Sequence, residues 1–364
     1  MKTIDICIVG AGFSGLYLAS LLSKTCSVLV LDMKKEIGKP PHCTGLVSSK
    51  TINRIGKVAM EVIESKYHGI NFLDLNSKKT ILRAKLQDKV YKLNRIELER
   101  LLALQALSNG AQIKLRAKVM EVRVNGEIKL SKDVIRCRLV VIAEGSIQIL
   151  TKSLGLGHVK DRVIGIQYFI PRGSEIENEE FYVIIGSDID PEFFGWAIPV
   201  KNSVLIGIGG KYVKLTELKK ITDNLIKLGM VKEGKLSSVF GGTILRGPPL
   251  PKLSKGRVII VGDASGYTKP ITGGGLDPIS RQIRMLYEII KYNDIEKVPL
   301  IYEEKTKHLY KELSRARIIH VVLRHMGYTQ AVRLASRTLG KEISISDYDN
   351  HLKSLISLLS KRFK

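Results

Sequence analysis

The sequence has 364 residues, with 59 lysines and arginines against 35 aspartates and glutamates, which gives a formal net charge of +24 at pH 7. This length allows two domains with cores of their own, and the charge favours anionic partners: nucleic acid, phosphorylated metabolites or an anionic membrane surface. No apolar run reaches the 18 or so residues typical of a membrane-spanning helix, so we expect a cytoplasmic protein. The four cysteines are widely spaced and form no C-x-x-C pair, so the pattern predicts neither a metal cluster nor a disulfide framework.

The chain begins with a predicted strand, a tight turn, a helix and a second strand. The strand covers Ile4–Val9, the turn Gly10–Gly15, the helix Leu16–Lys24 and the second strand Val28–Asp32. The turn reads Gly-x-Gly-x-x-Gly, and an aspartate closes the second strand seventeen residues after the last glycine. This order and spacing are typical of a βαβ unit that binds a dinucleotide.

Each glycine of this turn has a physical role. Gly10 permits the tight turn out of the strand, Gly12 lets the backbone approach a pyrophosphate, and Gly15 lets the helix pack on the sheet. The free N–H groups and the positive end of the helix dipole then face the phosphates. Asp32 can accept hydrogen bonds from ribose hydroxyls, so the segment predicts a dinucleotide site.

The middle of the chain combines two helical segments with several β-rich ones. Helical periodicity covers Thr51–Lys66 and Asn94–Leu107, while alternating or β-branched runs dominate residues 162–210. We interpret the β-rich region as an antiparallel sheet. Further short strands are predicted at Thr80–Leu86, Ile113–Val124, Glu127–Leu130 and Leu139–Ala143.

A second glycine-rich segment follows a buried strand late in the chain. Val258–Val261 is the predicted strand, Gly262-Asp263-Ala264 ends it, and Gly273-Gly274-Gly275 leads into a helix over Leu276–Tyr292. Two-dinucleotide flavoproteins have similar segments, in which the aspartate holds a ribityl hydroxyl and the helix N-terminus stabilises charge at the N1/O2 side of reduced flavin. Together with the N-terminal turn, this resemblance indicates FAD rather than NAD.

The two nucleotide segments flank the β-rich region, which predicts a discontinuous domain with an inserted sheet. The fold class is α/β: a FAD-binding Rossmann domain of the glutathione-reductase type, similar to p-hydroxybenzoate hydroxylase, with an inserted antiparallel β-sheet substrate domain and a helical C-terminus. The predicted ranges are 1–66, 89–158 and 240–295 for the FAD domain, 67–88 and 159–239 for the substrate domain, and 296–364 for the C-terminal region. Within that region, residues 351–359 place Leu352, Leu355, Ile356 and Leu359 on one helical face.

Further segments carry a family resemblance. Residues 38–46, GKPPHCTGL, resemble the P-x-x-C-x-G segment of the geranylgeranyl reductase family. FGWAIP at 194–199, with GIG at 207–209, resembles that family's Y-x-W-x-F-P and G-x-G signature. Glu144-Gly145 is similar to an Asp-Gly signature of the same flavoproteins, and Arg95 matches an arginine that lies beside FAD.

The resemblance implies saturation of carbon–carbon double bonds in a prenyl chain, on archaeal-type ether lipids or a related isoprenoid. It makes Cys43 a candidate proton donor beside the flavin, and Trp196 a candidate wall of an apolar tunnel near the isoalloxazine. For each residue the alternative is a packing role, as a small buried side chain or a core aromatic. The predicted FAD-binding residues are Gly10, Gly12, Ser14, Gly15, Asp32, Cys43, Thr44, Arg95, Val119, Asp263, Gly274, Gly275 and Leu276.

Three hypotheses of function remain open. The first is the prenyl reductase, held peripherally on an anionic inner membrane face by a C-terminal region in which residues 301–364 carry 13 lysines and arginines against 6 acids. The second is a flavin-dependent monooxygenase or halogenase that acts on a small aromatic. The third is a basic FAD protein bound to RNA, which rests on net charge alone. The external electron donor, NAD(P)H or a ferredoxin-like protein, is left open because no second G-x-G-x-x-G is present.

Overall fold

The computed structural model describes residues 4–350 and 353–354. Within these residues the helices are α1 (Phe13–Leu22), α2 (Ser49–Ile55), α3 (Lys57–Glu61), α4 (Arg95–Ser108), α5 (Ile149–Ser153), α6 (Leu215–Lys227), α7 (Leu276–Tyr292), α8 (Val298–Met326) and α9 (Tyr328–Leu339). The strands are β1 (Ile4–Val9), β2 (Val28–Leu31), β3 (Leu46–Ser48), β4 (Ile63–Asp74), β5 (Lys79–Leu93), β6 (Gln112–Lys114), β7 (Glu121–Val122), β8 (Glu127–Lys129), β9 (Val134–Ile142), β10 (Arg162–Pro171), β11 (Glu180–Ile185), β12 (Gly195–Val200), β13 (Ser203–Gly210), β14 (Phe240–Leu245), β15 (Ser254–Lys255), β16 (Val258–Ile260) and β17 (Glu342–Ile345).

The first sheet carries both glycine-rich segments and is parallel at its centre. Its strands follow the order β15-β16-β9-β1-β2-β6, and all neighbours from β16 to β6 are parallel. Ile6, Cys7 and Ile8 of the central strand are fully buried, since elements cover both faces of such a sheet. The carboxyl ends of β1, β2, β9 and β16 therefore meet at one edge, and this edge bears the predicted nucleotide segments.

The second sheet contains the strands of the predicted substrate domain and is mixed. Its order is β14-β10-β13-β12-β11-β4-β5-β17, with β3 beside β5. Most neighbours are antiparallel as predicted, but β11 is parallel to β4, and β17 is parallel to β5. Helix α6 packs its apolar side on one face of this sheet, and the opposite face carries Phe193 and Trp196.

The strands cross several predicted boundaries. Strands β3 and β14, the start of β4 and the end of β5 belong to the second sheet, although residues 1–66, 89–158 and 240–295 were assigned to the FAD domain. The predicted helix Thr51–Lys66 is instead two short helices, α2 and α3, divided at Gly56, and the chain enters β4 at Ile63. The C-terminal region is not wholly helical, since β17 pairs with β5, a strand some 250 residues earlier in the chain.

Two cysteines that the sequence pattern did not pair form a disulfide in the first sheet. Cys7 on β1 and Cys137 on the adjacent strand β9 have Cα atoms 6.1 Å apart, within the usual range for a bridge. Cys26 and Cys43 are free and half-buried. Within the described residues, no helix has the length and apolar character that spanning a bilayer requires.

The C-terminal helices connect the two sheets. Tyr302 and Leu309, in the first half of α8, are buried in the core that covers the first sheet. Gly327, at φ +81°, ends α8 and starts α9, whose Arg333 pairs with Asp74 at the end of β4. The amphipathic helix predicted at 351–359 lies outside the described residues, apart from 353 and 354.

Candidate cofactor and substrate site

The glycine turn between β1 and α1 has a different physical constraint at each glycine. Gly10 has φ +117°, and a Cβ there would overlap the carbonyl of Ala143 at the end of β9. A Cβ on Gly15 would overlap the carbonyl of Gly10, so α1 packs directly on the turn. Nothing lies within 4 Å of a Cβ added to Gly12. Protein packing therefore requires the first and last glycines, whereas the middle one faces open space.

The start of α1 leaves its backbone donors free. Gly12 is the N-cap and offers no side-chain acceptor, so the first N–H groups can bind a phosphate. Asp32 accepts hydrogen bonds from Ala11 N–H at 2.5 Å and from Lys34 N–H at 2.8 Å. These bonds fix the carboxylate beside the turn, and each of its oxygens keeps acceptor capacity for a ribose hydroxyl.

The Gly-Asp-Ala segment lies directly against the N-terminal turn. A Cβ on Gly262 would overlap the hydroxyl of Ser14, which shows that α1 touches the end of β16. Asp263 follows in a short 3₁₀ turn and lines the cavity described below. Burial raises the pKa of its carboxyl, and the charges of His42 and Arg95 oppose that rise. A buried acid that faces a cavity is suited to a ligand hydroxyl.

Helix α7 begins beside the same carboxylate and is also uncapped. Gly275 is its N-cap, and a Cβ there would lie 3.2 Å from Oδ1 of Asp263. Gly274 leaves room for the side chain of Lys269, and Lys269 N–H donates to the Gly274 carbonyl at 3.0 Å. The free N–H groups and the dipole of this 17-residue helix favour negative charge at this point.

Glu144 caps a helix at the cavity wall. Its carboxylate accepts hydrogen bonds from Leu150 N–H at 3.0 Å, and from the N–H and the hydroxyl of Thr151 at 2.7 Å each. These bonds satisfy the first donors of α5. The acid in the segment that resembles Asp-Gly therefore acts within the protein, while Gly145 beside it lines the cavity.

Arg95 and Cys43 meet at the cavity wall. The Arg95 guanidinium, at the start of α4, donates to Glu99 at 2.6 Å and lies 5.4 Å from the centre of the Phe13 ring. Its Nε is buried without a hydrogen-bond partner among the described residues. The Cys43 sulfur accepts from Gly45 N–H at 3.4 Å and interacts with the Arg95 guanidinium. A buried unpaired donor and a half-buried thiol thus lie side by side.

Trp196 lies on β12 with its indole against the neighbouring strand β13. The indole N–H donates to Oε1 of Gln167 at 3.1 Å. A Cβ on Gly207 would overlap the indole, and a Cβ on Gly209 would overlap the ring of Phe193. The segment that resembles Gly-x-Gly therefore provides the space that two aromatic rings need at the cavity wall.

One cavity of about 850 Å³ connects these features. Twelve of the thirteen predicted FAD contacts line it, and Gly15 does not, since it faces the turn. The remainder of the cavity is mainly apolar and is bounded by the second sheet and helices α8 and α9. Its wall there includes Ile70, Phe72, Phe181, Val183, Leu323 and Val332.

The nucleotide end of the cavity fits FAD. Two uncapped helix N-termini are available for the phosphates and the flavin ring, and Asp32 is held beside the turn for a ribose. The buried Nε of Arg95 lacks a protein partner among the described residues, and the Asp263 carboxyl faces the same cavity. A dinucleotide with a ribityl chain supplies the groups that these atoms need.

Sequence reasoning missed a charged cluster beside α7. Lys269 Nζ lies 3.1 Å from Oδ1 of Asp349 and 4.7 Å from the centre of the Tyr348 ring. Burial opposes ionisation of Asp349, but Lys269 and two hydroxyl donors hold the pKa of that carboxyl below its usual value. Lys269 lies between the two late glycine segments, a position that could have marked it. Asp349 and Tyr348 follow β17 and belong to no motif.

A second network, also missed, holds α8 against the ends of β10 and β14 in the second sheet. Asp161 pairs with Arg246 at 2.7 Å and with Arg317, and Nε2 of His320 lies 3.3 Å from the same carboxylate. Tyr328, which lines the cavity, has its hydroxyl 3.2 Å from Nδ1 of His320. These residues come from distant parts of the chain, so no local pattern identifies them.

Comparisons with known proteins show which sequences and structures the chain is similar to. A model of the NAD(P)-binding Rossmann-like domain matches residues 8–62. Two relatives are 26% identical: an uncharacterized protein of Methanocaldococcus jannaschii over 84% of this chain and 80% of its own, and the digeranylgeranylglycerophospholipid reductase of Methanococcus vannielii over 76% and 73%. A geranylgeranyl bacteriochlorophyll reductase-like structure from Thermoplasma acidophilum has a TM-score of 0.84 at 20% identity, covering 100% of this chain and 97% of that one. The chain is thus similar in sequence and in fold to proteins named as geranylgeranyl reductases.

Other flavoproteins share the same fold. A structure described as a probable FAD-dependent monooxygenase from Pseudomonas aeruginosa has a TM-score of 0.69 at 14% identity, covering 92% of this chain and 100% of that one. With the relatives, which are named as reductases, this similarity confirms the predicted α/β fold of an FAD-dependent oxidoreductase, and the nucleotide end of the cavity fits the predicted FAD. The segments identified by resemblance to geranylgeranyl reductases are thus found around one cavity of a flavoprotein fold.

Proposed function

We propose that this protein is an FAD-dependent reductase that saturates carbon–carbon double bonds in isoprenoid chains of membrane ether lipids. The main support for this proposal is the continuous cavity, which leads from the nucleotide segments into an apolar chamber. Relatives named digeranylgeranylglycerophospholipid reductases agree with a substrate that carries geranylgeranyl chains. A long apolar chain suits such a chamber, whereas a small polar aromatic needs several convergent polar groups.

The chemistry of an isolated alkene explains why the chamber matters. An alkene offers no polar group to bind, so its reduction depends on how the chain is placed. Bound, reduced FAD supplies a hydride to one carbon, and a proton reaches the other, so that two C–H bonds replace the π bond. The apolar walls exclude water and confine the chain, and Trp196 forms the wall that aligns it.

Cys43 holds the proton for the second carbon in this proposal. Its sulfur lines the cavity and is oriented by Gly45 N–H. Loss of the proton leaves a thiolate on Cys43, at the same cavity wall as the buried guanidinium of Arg95. Solvent then returns the proton to the thiolate before the next turnover.

The cofactor contacts follow from the groups on the cavity wall. Gly10, Gly12 and Ser14 at the start of α1 bind the pyrophosphate, with Gly15 in support, and Asp32 binds the adenosine ribose. Asp263 binds a ribityl hydroxyl, and the N-terminus of α7 stabilises charge on the flavin ring. The remaining contacts come from Cys43, Thr44, Arg95, Val119, Gly274, Gly275 and Leu276, which all line the cavity.

An external donor, NAD(P)H or a ferredoxin-like protein, reduces the flavin in this scheme. The test needs neither donor. Chemically reduced enzyme is incubated without oxygen with a geranylgeranyl ether lipid, and the products are weighed by mass spectrometry. We expect products heavier by pairs of hydrogens. An added oxygen or halogen without added hydrogen would instead establish a monooxygenase or halogenase.

A matched variant separates enzymatic from chemical reduction. Gly12→Val adds bulk where the pyrophosphate is proposed to bind but meets no protein atom, so it should remove FAD and leave the fold intact. This variant should not reduce the lipid under the same conditions. Equal product from both proteins would show that the added reductant, not the enzyme, acts on the alkene.

A further inference from the structure

The C-terminal half of α8 and all of α9 form a basic helical pair, residues 313–341, which we call the C-terminal hairpin. This stretch contains six lysines and arginines and no aspartate or glutamate. The first half of α8 differs, since Glu303, Glu304 and Glu312 accompany its cations. Acidic residues are thus present in the first half of α8 and absent from the hairpin. The hairpin is therefore more basic than its neighbouring segment, although the whole chain is basic.

The outward side of the hairpin is apolar as well as basic. Ile318 and Val322 are 67% and 54% exposed, and Met326 and Leu334 are also exposed. In α8 the spacing from 318 to 322 to 326 places three of these side chains on one helical face, one turn after Arg315. Clusters of exposed aliphatic side chains usually mark a contact surface, whereas single ones are ordinary.

The cations of the hairpin divide into two groups. Arg317 and Arg324 pair with Asp161, and Arg333 pairs with Asp74, so these three hold the hairpin to the protein. Arg315, Arg337 and Lys341 are exposed and form no ion pair with a described residue. Their charges are therefore available beside the exposed aliphatic side chains. An amphipathic helix that lies in a membrane interface has this combination of features.

The inward side of the same hairpin lines the apolar part of the cavity. Ile319, Leu323, Val332 and Leu339 belong to its wall. Only the thickness of a helix therefore separates the cavity from the exposed aliphatic cluster. A lipid whose head group stays at the surface can extend a chain from this side into the cavity.

We propose that the C-terminal hairpin is the surface on which the protein docks to anionic membranes, and that prenyl chains reach the cavity beside it. The occupant is an anionic lipid surface, because exposed cations and aliphatic side chains together match its charge and its acyl region. The docking is inferred from the exposed surface alone. The entry of a prenyl chain into the cavity also rests on the proposed function.

The docking is tested with flavin-loaded full-length protein and vesicles of phosphatidylcholine with or without phosphatidylglycerol. In a sedimentation assay at low salt, wild-type protein should bind the anionic vesicles and bind neutral ones far less. A pair of changes, Ile318→Ser with Val322→Ser, should weaken binding about tenfold or more, because it removes two apolar anchors. Arg315→Gln with Arg337→Gln should weaken it to a similar extent.

The matched control is Leu300→Ser in the first half of α8. Leu300 is 77% exposed, more than any aliphatic residue of the hairpin, but it lies near acidic residues and away from the cavity. This variant should bind vesicles like wild type. Equal losses in Leu300→Ser and the Ile318→Ser/Val322→Ser pair, or no loss in either, would overturn the proposal. Flavin content and thermal unfolding establish that each variant is folded.

Two further readouts separate this inference from its alternatives. Light scattering after gel filtration should show the same mass for wild type and for the serine pair; a dimer that the pair converts to a monomer would make this face a contact between copies and overturn membrane docking. In detergent, the serine pair should reduce lipid at the wild-type rate, with the loss confined to vesicles. Vesicle binding without any lipid reduction would refute the proposed function and leave the docking surface in place.

Discussion

The indole of Trp196 occupies the space that a side chain at Gly207 would need. The two residues are directly paired between β12 and β13, and a Cβ on Gly207 would come well under 3.0 Å from the ring. A Cβ on Gly209 would likewise overlap the ring of Phe193. The two glycines therefore determine where the aromatic wall of the cavity lies, and Gln167 holds the indole in place through its N–H.

Gly207→Ala should displace the indole. The added methyl group cannot be accommodated without moving Trp196, so we expect the free energy of unfolding to fall by about 1–3 kcal/mol, as in other overpacked cores. Trp196 is the single tryptophan of the chain, so its fluorescence reports this movement directly. The emission maximum should shift toward longer wavelength as the indole becomes less enclosed.

Gly242→Ala is the control for that change. It lies in the same sheet, and its added Cβ would come 3.3 Å from the Cβ of the exposed His42, so this residue needs to shift by only a few tenths of an ångström. Its fluorescence and stability should match those of wild type. A Gly207→Ala protein with an unchanged emission maximum would contradict the assigned contact between the indole and β13.

Gly12→Val and Gly10→Ala should fail for different reasons. Gly12 has φ −92° and ψ −171°, which any residue can adopt, and its Cβ faces open space. We expect Gly12→Val to lose FAD and to fold with the stability of flavin-free wild-type protein. At Gly10 the positive φ and the Ala143 carbonyl exclude a side chain, so Gly10→Ala should lower thermal stability. Absorbance at the flavin band and thermal unfolding measure the two effects. Full flavin content in Gly12→Val would show that the pyrophosphate does not bind at this turn.

The nucleotide end of the site was predictable because its signals are local. Gly15 is constrained by the carbonyl of Gly10 in the same turn, whereas Gly10 and Gly262 are constrained by Ala143 and Ser14 of other short motifs. Each of these motifs could be recognised from its own spacing along the chain. The helix over Leu276–Tyr292 follows its glycines directly, and the prediction of its bounds is confirmed.

The apolar part of the cavity could not be read in this way. Strand β17 pairs with β5, which lies about 250 residues earlier in the chain. The sequence of β17 contains no feature that identifies β5 as the neighbouring strand. Asp349 and Lys269 meet only because that pairing brings the end of the chain to α7. The bridge between Cys7 and Cys137 likewise depends on two parallel strands that are neighbours in space and 130 residues apart in sequence.

Asp161→Asn should destabilise the protein, because it removes the buried carboxylate that pairs with Arg246 and Arg317 and leaves Arg246 with the half-buried Glu192. Arg246 is 1% exposed, and asparagine cannot neutralise its charge. Removal of one member of such a pair typically costs about 3–5 kcal/mol, which denaturant unfolding at pH 7 can measure. Arg123→Gln is the matched control: it removes an exposed ion pair with Glu121 and should change stability by about 1 kcal/mol or less.

The effect of Asp161→Asn should depend on pH in one direction. Burial alone would raise the pKa of Asp161, but His320, Arg246 and Arg317 outweigh it and hold the pKa well below its usual value. The unfolded chain binds a proton near pH 4 while the folded protein does not, so the stabilisation is complete above that pH and declines as the pH falls below it. The difference in free energy of unfolding between wild type and variant should therefore decrease below about pH 4. If this difference in free energy of unfolding stayed constant from pH 7 to pH 3, the result would contradict the assigned ion pairs.

Cys43→Ala tests whether the thiol supplies a proton or only fills space beside the cofactor. The sulfur accepts one weak hydrogen bond, from Gly45 N–H, so its removal should leave the fold and the flavin content unchanged. General acid assistance contributes on the order of 100- to 10,000-fold, and we expect double-bond reduction to slow by about tenfold or more. Cys26→Ala removes the other free, half-buried thiol and should keep the wild-type rate.

Cys43→Ser separates acidity from size at the same position. Serine retains the volume and a hydroxyl donor but is a far weaker acid than a thiol, so it should be nearly as slow as alanine if acidity matters. Single-turnover reduction of the lipid by prereduced enzyme gives this rate without interference from the electron donor. If serine restores the full rate while alanine does not, the residue positions the substrate or cofactor. The proton must then come from another group at the cavity wall, and Tyr328, which is connected through His320 to Asp161, is the next residue to change.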